Sequence, residues 1–570
     1  MKKYQKLFAL LLAIVMVLAL AACGNNGGSN GGDKETGGKD VDIGLPPGVG
    51  VNDGKETDEP IATPEAYVQT KVAPLMRVAV SDVPTNITPW AGTSAGRQLT
   101  LLTNVYQAVI EGIQGSEDIR MIMCHKIDRS YEKTENGELH RIYLYDNIYD
   151  QAGNHFTAED AVFCIQSCVA EGAIPAMAFI GESKVIDDYT FDIEILSENR
   201  SQLAASLSNV YMVTRAAYEA SADGMASAIV STGPYALTEW VPGTSAVLTR
   251  NDNYWGADMG ERSDDLHSAW MWHAQNVERV EYTKISEPAQ AAIALETNVV
   301  DGAWLLTVDE ASRFTGVDGY QVFATYDTLT MNCYFNCTEN SPFSDVRLRQ
   351  AAAYAIDRDM IVEANGGYGL LTYTFGSHLF ADYVDDWDNN EYYAYNPEKA
   401  KELIAEAGYD TSREIVILVS SSTKPRQTTA QVVQAQLMAV GFNVRIDVLD
   451  AASFSANRFD PTIQDIRIDQ QAFENLSNLW NQHLNYNVSG HSKLLQKDET
   501  LQELVLKVQK PEFHTPEYMT EAHNYIMENC FIYSLFGITN FDAVNSNVVA
   551  APGGRNNRSY TPIGSLTYYA

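Results

Sequence analysis

Asp465, Arg467 and Asp469 occupy alternate positions, separated by Ile466 and Ile468. Successive side chains of a β-strand point to opposite faces, so a strand here puts the three charges on one face and the two isoleucines on the other. A carboxylate withdrawn from water takes an ammonium group through charge-assisted hydrogen bonds. A guanidinium two residues away takes a carboxylate, so the pair suits a zwitterionic or acidic ligand. The same spacing also suits a surface ladder in which Arg467 pairs with its own neighbours. Groups for covalent chemistry are not brought together by any motif: there is no G-x-S-x-G elbow, no H-E-x-x-H helix and no glycine-rich phosphate loop. The ten histidines are scattered, without metal-ligand spacing on a helix or hairpin, so neither a metal nor a cofactor is expected.

A thiol near the start suggests a different chemistry. Lys2, Lys3 and Lys6 precede an apolar run from Leu7 to Ala22, and small residues lead into Cys23. That order is a secretory signal with a cleavage site. The run is short for a helix that crosses about 30 Å of hydrocarbon, which takes about 20 apolar residues. Leu20-Ala21-Ala22-Cys23 resembles the lipobox of bacterial lipoproteins. The resemblance implies that residues 1–22 are a signal peptide and that Cys23 carries lipid on its sulfur. It also implies that the mature chain works on the outer face of the bacterial membrane. Gly24 to Gly54 holds eleven glycines among Asn, Ser, Asp and Lys. Such a segment cannot bury enough apolar surface to offset its ordering entropy, so 23–70 is expected to be a disordered tether.

The 570 residues suffice for two or three domains. Thirty-nine basic against 74 acidic residues give a net charge of −35, which argues against nucleic acid or anionic lipid as a partner. Besides Cys23 there are Cys124, Cys164, Cys168, Cys333, Cys337 and Cys530. Cys333 and Cys337 fall in an expected strand, where four residues span about 13 Å, beyond disulfide reach. Cys164 and Cys168 lie one helical turn apart with near-parallel Cβ directions. Buried free thiols are therefore expected.

The elements that would position these groups are mixed. Leu75 to Val80 reads as a first strand. Ser130 to Lys133 and Glu138 to Tyr145 flank Asn136-Gly137, the signature of a hairpin with a primed turn. Thr157 and Asp160 form a capping-box pattern, with Ala161, Ile165 and Cys168 on one helix face. Phe191, Ile193 and Ile195 share one side of a strand. Asn396 caps a helix that Pro397 begins and Gly408 ends, with Ala400, Leu403, Ile404 and Ala407 as its apolar stripe. Ile415 to Val419 is an apolar strand. Gln427 to Val440 is a helix with Val433, Leu437 and Val440 on one face, and Phe442, Val444, Ile446 and Val448 alternate in a further strand. Strand, helix and strand with short links imply a parallel pairing.

Four blocks then carry a family resemblance. They are Gly153 to Asp160; Ser231-Thr232-Gly233-Pro234-Tyr235 with Trp240 and Arg250 to Gly256; Phe343 to Ala352 with Ile356-Asp357-Arg358; and Asn396 to Ala400 with Ala407-Gly408-Tyr409. In this order they resemble the extracellular solute-binding proteins of family 5, the oligopeptide and dipeptide binders of ABC importers, from about Arg77 to about Asn545. The resemblance implies an α/β, periplasmic-binding-protein-like bilobal fold with a small extra domain and a ligand cleft between two hinged lobes. Residues 71–104, 227–328 and 531–570 would form the first lobe, 105–226 the small domain and 329–530 the second lobe. The lobes would be joined near Thr328 and Phe531. The implied partners are a small solute of the peptide class and the permease subunits, with the binder itself a monomer. Gly233-Pro234 would set a turn, Ser344 or Asp345 would cap a helix, and Tyr254-Trp255 would pack on the body. Peptide binders of the family hold the ligand's α-amine with an aspartate after a strand that begins with an aromatic-Asp pair. Phe459-Asp460 matches that start, and the spacing lands on Asp469, with Arg467 on the same face. Gln470-Gln471 departs from the family pattern there. Thr330 and Asn332 enter the second lobe where relatives expose groups to ligand, and Trp90 suits an apolar wall. Related binders take nickel chelates, haem or short sugars, and these stay open as ligands. A cell-surface hydrolase is the alternative from another class.

Overall fold

The computed structural model describes residues 49–52, 72–90, 99–113, 116–197, 201–261, 265, 267–421, 423–471, 475–488, 490–546, 548–550 and 566–568. The expected signal peptide, residues 1–22, and Cys23 lie outside these. A mixed sheet of twelve strands runs through the described residues. In chain order its strands are β1 (Val49–Asn52), β2 (Met76–Val80), β3 (Tyr235–Val241), β4 (Ser245–Arg250), β5 (Arg279–Lys284), β6 (Gly302–Leu306), β7 (Tyr320–Phe335), β8 (Gly369–Leu370), β9 (Glu414–Ser420), β10 (Asn443–Leu449), β11 (Ile466–Gln471) and β12 (Ile532–Asn545). Their spatial order is β10-β9-β11-β7-β12-β6-β2-β5-β4-β3, with β1 beside β7 and β8 beside β12.

Two long antiparallel strands tie the halves together. The first part of β7, Tyr320 to Tyr326, pairs with Thr539 to Asn545 of β12. Its second part pairs with the first part of β12 on one side and with β11 on the other. The register slips between Tyr326 and Thr330, where the first crossing was expected. Val322 and Ala324 pack in one core, with Ala292, Leu295 and Phe541, whereas Met331 and Cys333 pack in another, with Ile417, Ile468 and Trp480. The return crossing is later than Phe531. Ile532, Tyr533, Leu535 and Phe536 still belong to the second core, and Phe541 and Ala543 to the first. Antiparallel pairing requires this, because the return has to lie opposite the slip in β7.

The tether expectation also needs a correction. Val49–Asn52 forms a strand parallel to β7, with Val49 opposite Val322 and Val51 opposite Ala324. β11 covers that edge of β7 only from Thr330 onward, so the first half would otherwise present open backbone groups.

In the second half, β9 pairs in parallel with both β10 and β11. Ile415, Ile417, Leu418 and Val419 are buried, as a strand covered on both faces demands. Asn396 accepts a hydrogen bond from the Lys399 amide and caps Pro397–Glu406, which buries Ala400, Leu403 and Ile404. The next helix, Lys424–Ala439, begins three residues before Gln427 because Pro425 suits its first turn, and it buries Ala430, Val433 and Leu437. Val448 is exposed, since β10 is an edge strand.

A separate sheet orders Cys124–Lys133, Glu138–Leu144, Thr190–Ile195 and Ile180–Asp187 as four antiparallel strands. The primed turn does not form, for neither Asn136 nor Gly137 has positive φ. Gly137 instead lies against the Ile195 backbone, whose carbonyl oxygen would be 1.9 Å from an added Cβ. Against this sheet packs Ala158–Glu171, whose Thr157 amide donates to Asp160 at 2.7 Å and whose chain turns at Gly172 with φ 65°. Tyr254 is buried, with Trp255 beside it on the body, and Asp345 is the cap of Val346–Ala355. The six described cysteines are buried and none is in a disulfide.

Candidate functional site

The antiparallel register of β7 and β11 sets Thr330 opposite Gln471, Asn332 opposite Asp469, and Tyr334 opposite Arg467. On the far side of β7, Asn332 faces Ser534. The sequence-predicted Thr330, Asn332, Arg467 and Asp469 therefore share one sheet face, while Met331, Cys333, Ile466 and Ile468 fill the core on the other. This face lies beside the strand crossings, at the carboxyl ends of β9 and β11. In open α/β sheets that edge is where ligands bind.

The polar face is buried and interlocked. Thr330, Asn332, Arg467 and Asp469 are each at most 1 % exposed, so Arg467 belongs to no surface ladder. Asn332 donates to the Thr330 carbonyl at 3.0 Å and accepts from Ser534 Oγ at 2.6 Å. Arg426 Nη2 lies 3.3 Å from Asp469 Oδ1, while Arg458 Nη1 and Arg467 Nε lie 3.4 and 3.5 Å from Oδ2. The Gln470 amide donates to Oδ1 at 2.9 Å and Gln471 Nε2 to Oδ2 at 3.4 Å. Three hydrogen bonds, from Arg458 Nη1, the Gln470 amide and Gln471 Nε2, and the approach of two further guanidiniums thus surround the carboxylate. An ammonium brought to Asp469, the amine anchor expected from the sequence, would meet guanidiniums beside both oxygens.

Arg467 stacks over the Tyr334 ring at 4.2 Å and Phe459 at 5.0 Å, and its Nη1 donates to the Arg458 carbonyl at 2.7 Å. Burial pulls its pKa down and Asp469 pulls it up. His483 and His491 pack on the same Tyr334 ring at 5.6 and 4.7 Å. Burial, then the charges of Arg467 and Arg458, lowers His483 to about 3; burial drives His491 well below the ordinary histidine range. Both imidazoles are neutral at neutral pH.

Arg426, Arg458, Tyr334, Ser534 and the two histidines were not legible as site residues. Arg458 adjoins the Phe459-Asp460 pair, a local signal, whereas Arg426 arrives from the first turn of Lys424–Ala439 by tertiary packing alone. Trp90 goes elsewhere. Its indole N–H donates to the Tyr211 carbonyl at 3.0 Å and its ring packs on Phe163 and Tyr218. Beyond the sheet, Asn475 Nδ2 donates to Ser201 Oγ at 3.1 Å and Asn478 Nδ2 to Gln202 Oε1 at 2.7 Å, all four residues buried. These bonds join a helix of the second half, Leu476–Leu484, to the start of Gln202–Leu207.

Among the described residues no His, Cys, Asp and Glu group is arranged to hold a metal. No described helix is long and apolar enough to cross a membrane.

The chain is 22% identical over 394 residues to the glutathione-binding protein GsiB of Pectobacterium atrosepticum, covering 66% of this chain and 70% of that one. It is 23% identical over 372 residues to heme-binding protein A of Haemophilus influenzae, covering 59% of this chain and 63% of that one. In fold it is similar to the ABC transporter substrate-binding protein CtaP of Listeria monocytogenes, with TM-score 0.75, 17% identity, and coverage of 87% of this chain and 100% of that chain. It is likewise similar to DppA of Helicobacter pylori in complex with peptide STSA, with TM-score 0.68, 16% identity, and coverage of 88% and 99%. The profile of bacterial extracellular solute-binding proteins, family 5 Middle, matches residues 126–487. That match spans more than half of the sequence, including Thr330, Asn332, Arg467 and Asp469, and the chain belongs to the bacterial extracellular solute-binding proteins of family 5.

Proposed function

We propose that this chain is the lipid-anchored binding component of an ABC importer. It captures a peptide or peptide-like small solute by lobe closure, returns it unchanged, and hands it to the permease subunits. The observation that carries this reading is the buried polar face of Thr330, Asn332, Arg467 and Asp469, set where β7 and β12 pass between two separate cores. A ligand that touches both halves biases the molecule toward its closed form. Relatives named for glutathione and for a bound peptide favour the peptide class, while one named for haem keeps a second ligand class in view.

The test is mass spectrometry of solute released on denaturing the purified full chain, followed by calorimetric titration of that solute. An intact peptide or peptide-like solute that rebinds supports the reading; a haem, a sugar or a hydrolysed product overturns the peptide assignment. The anchor is tested by Cys23→Ala, which should move the protein from the membrane fraction to the soluble fraction.

A further inference from the structure

Around Asp469 guanidinium groups outnumber carboxylates. Arg458 and Arg467 converge on the one oxygen Oδ2, and Arg426 approaches Oδ1. Even with Arg426 set aside, two guanidiniums face one carboxylate. Neither Arg458 nor Arg467 pairs with a second carboxylate among the described residues. Arg467 is fully buried, yet its Nη2 has no hydrogen-bond partner, and both ring nitrogens of the buried His491 have none. Buried charge in excess of its counter-charge is costly unless paired. An ammonium brought here adds to the excess, whereas an anion cancels it. The guanidinium is the side chain whose planar fork matches a carboxylate.

We propose that this cluster is a carboxylate subsite: Arg458 and Arg467, with Arg426, bind an acidic group of the solute, and Asp469 holds the guanidiniums apart and oriented. The inference rests on the binding role proposed above and names its ligand class as a small organic acid or a peptide held by a carboxylate. Asp469 is a positioning residue here, since its oxygens are occupied by the chain's own donors.

The probe is malonate, a dicarboxylate, against its uncharged diamide at constant ionic strength, with thermal unfolding of the full chain as readout. Malonate should raise the Tm and malonamide should not. R458Q should weaken the malonate response at least tenfold, about 1.4 kcal/mol. Arg458 keeps one third of its side chain in solvent, so this variant leaves the core packed. R467M, which removes the buried guanidinium, should abolish the response. Equal responses to malonate and malonamide, or a malonate response unchanged in R458Q, would overturn the subsite. Trialanine is then compared with its C-terminal amide and its N-acetyl form. Loss of binding on amidation alone supports the subsite; loss on acetylation alone overturns it and returns Asp469 to the amine. Failure of all three peptides while malonate still binds sinks the peptide reading and leaves the acid subsite standing.

Discussion

At the scale of single residues, the same type serves different ends in different settings. Gly233 reads in sequence as a turn residue beside Pro234. Its real constraint is contact, because an added Cβ would lie 2.0 Å from the Val105 carbonyl oxygen, and backbone cannot swing aside. Ser231 Oγ donates to that same oxygen at 2.6 Å, so the two segments are held together at this point. Gly233→Ala should therefore destabilise the fold by on the order of 2 kcal/mol, as overpacking does, measured as a fall in the urea midpoint. An unchanged midpoint would mean that the segments separate freely. Arg467 and Asp469 carry the parallel lesson for charge. Their types announced ion pairing, but the sign of what they offer a ligand depends on Arg426 and Arg458.

At the scale of elements, caps and strand edges account for most boundaries. The helix Pro397–Glu406 has Asn396 as its cap, Pro397 in the first turn and Gly408 at φ 64° beyond its end. Asn396→Ala removes the acceptor for the Lys399 amide and should cost about 1 kcal/mol, read from chemical unfolding. Asn396→Asp, which keeps an acceptor, should restore most of it. These signals are local, so they were readable in advance. At Asn136-Gly137 the glycine serves a close approach and not a primed turn, because a neighbouring strand, at Ile195, lies against it. Val49–Asn52 lies in a glycine-rich segment whose composition suits a tether and says nothing of the open edge on β7 that receives it.

At the scale of the whole molecule, five histidines are buried as neutral groups. Burial lowers His140 and His273 to about 4 and His483 and His523 to about 3, and it takes His491 well below the ordinary range. The unfolded chain binds protons on these side chains below about pH 6.5, where the folded chain does not. Their contribution to stability is therefore complete above about pH 6.5 and declines as the pH falls toward 4, by up to about 1.4 kcal/mol per pH unit for each histidine. Calorimetric Tm values should be flat for this group from pH 8 to 7 and drop between pH 6.5 and 4.5. A Tm that holds steady across the lower range would show that the histidines gain protons in the folded state.

Sequence alone determined what depends on neighbours along the chain: the helix caps, the β-branched run of β9, the parallel pairing of β9 and β10, the alternation of Arg467 and Asp469, and the ordered blocks that mark the family. The tertiary structure alone decided what depends on segments meeting from afar. It set the return crossing beyond Phe536, packed Trp90 against Phe163 and Tyr218, and brought Arg426 and Arg458 to Asp469. Alternation within a strand fixes which side chains share a face, but the charge a ligand meets is a sum over every element packed against that face.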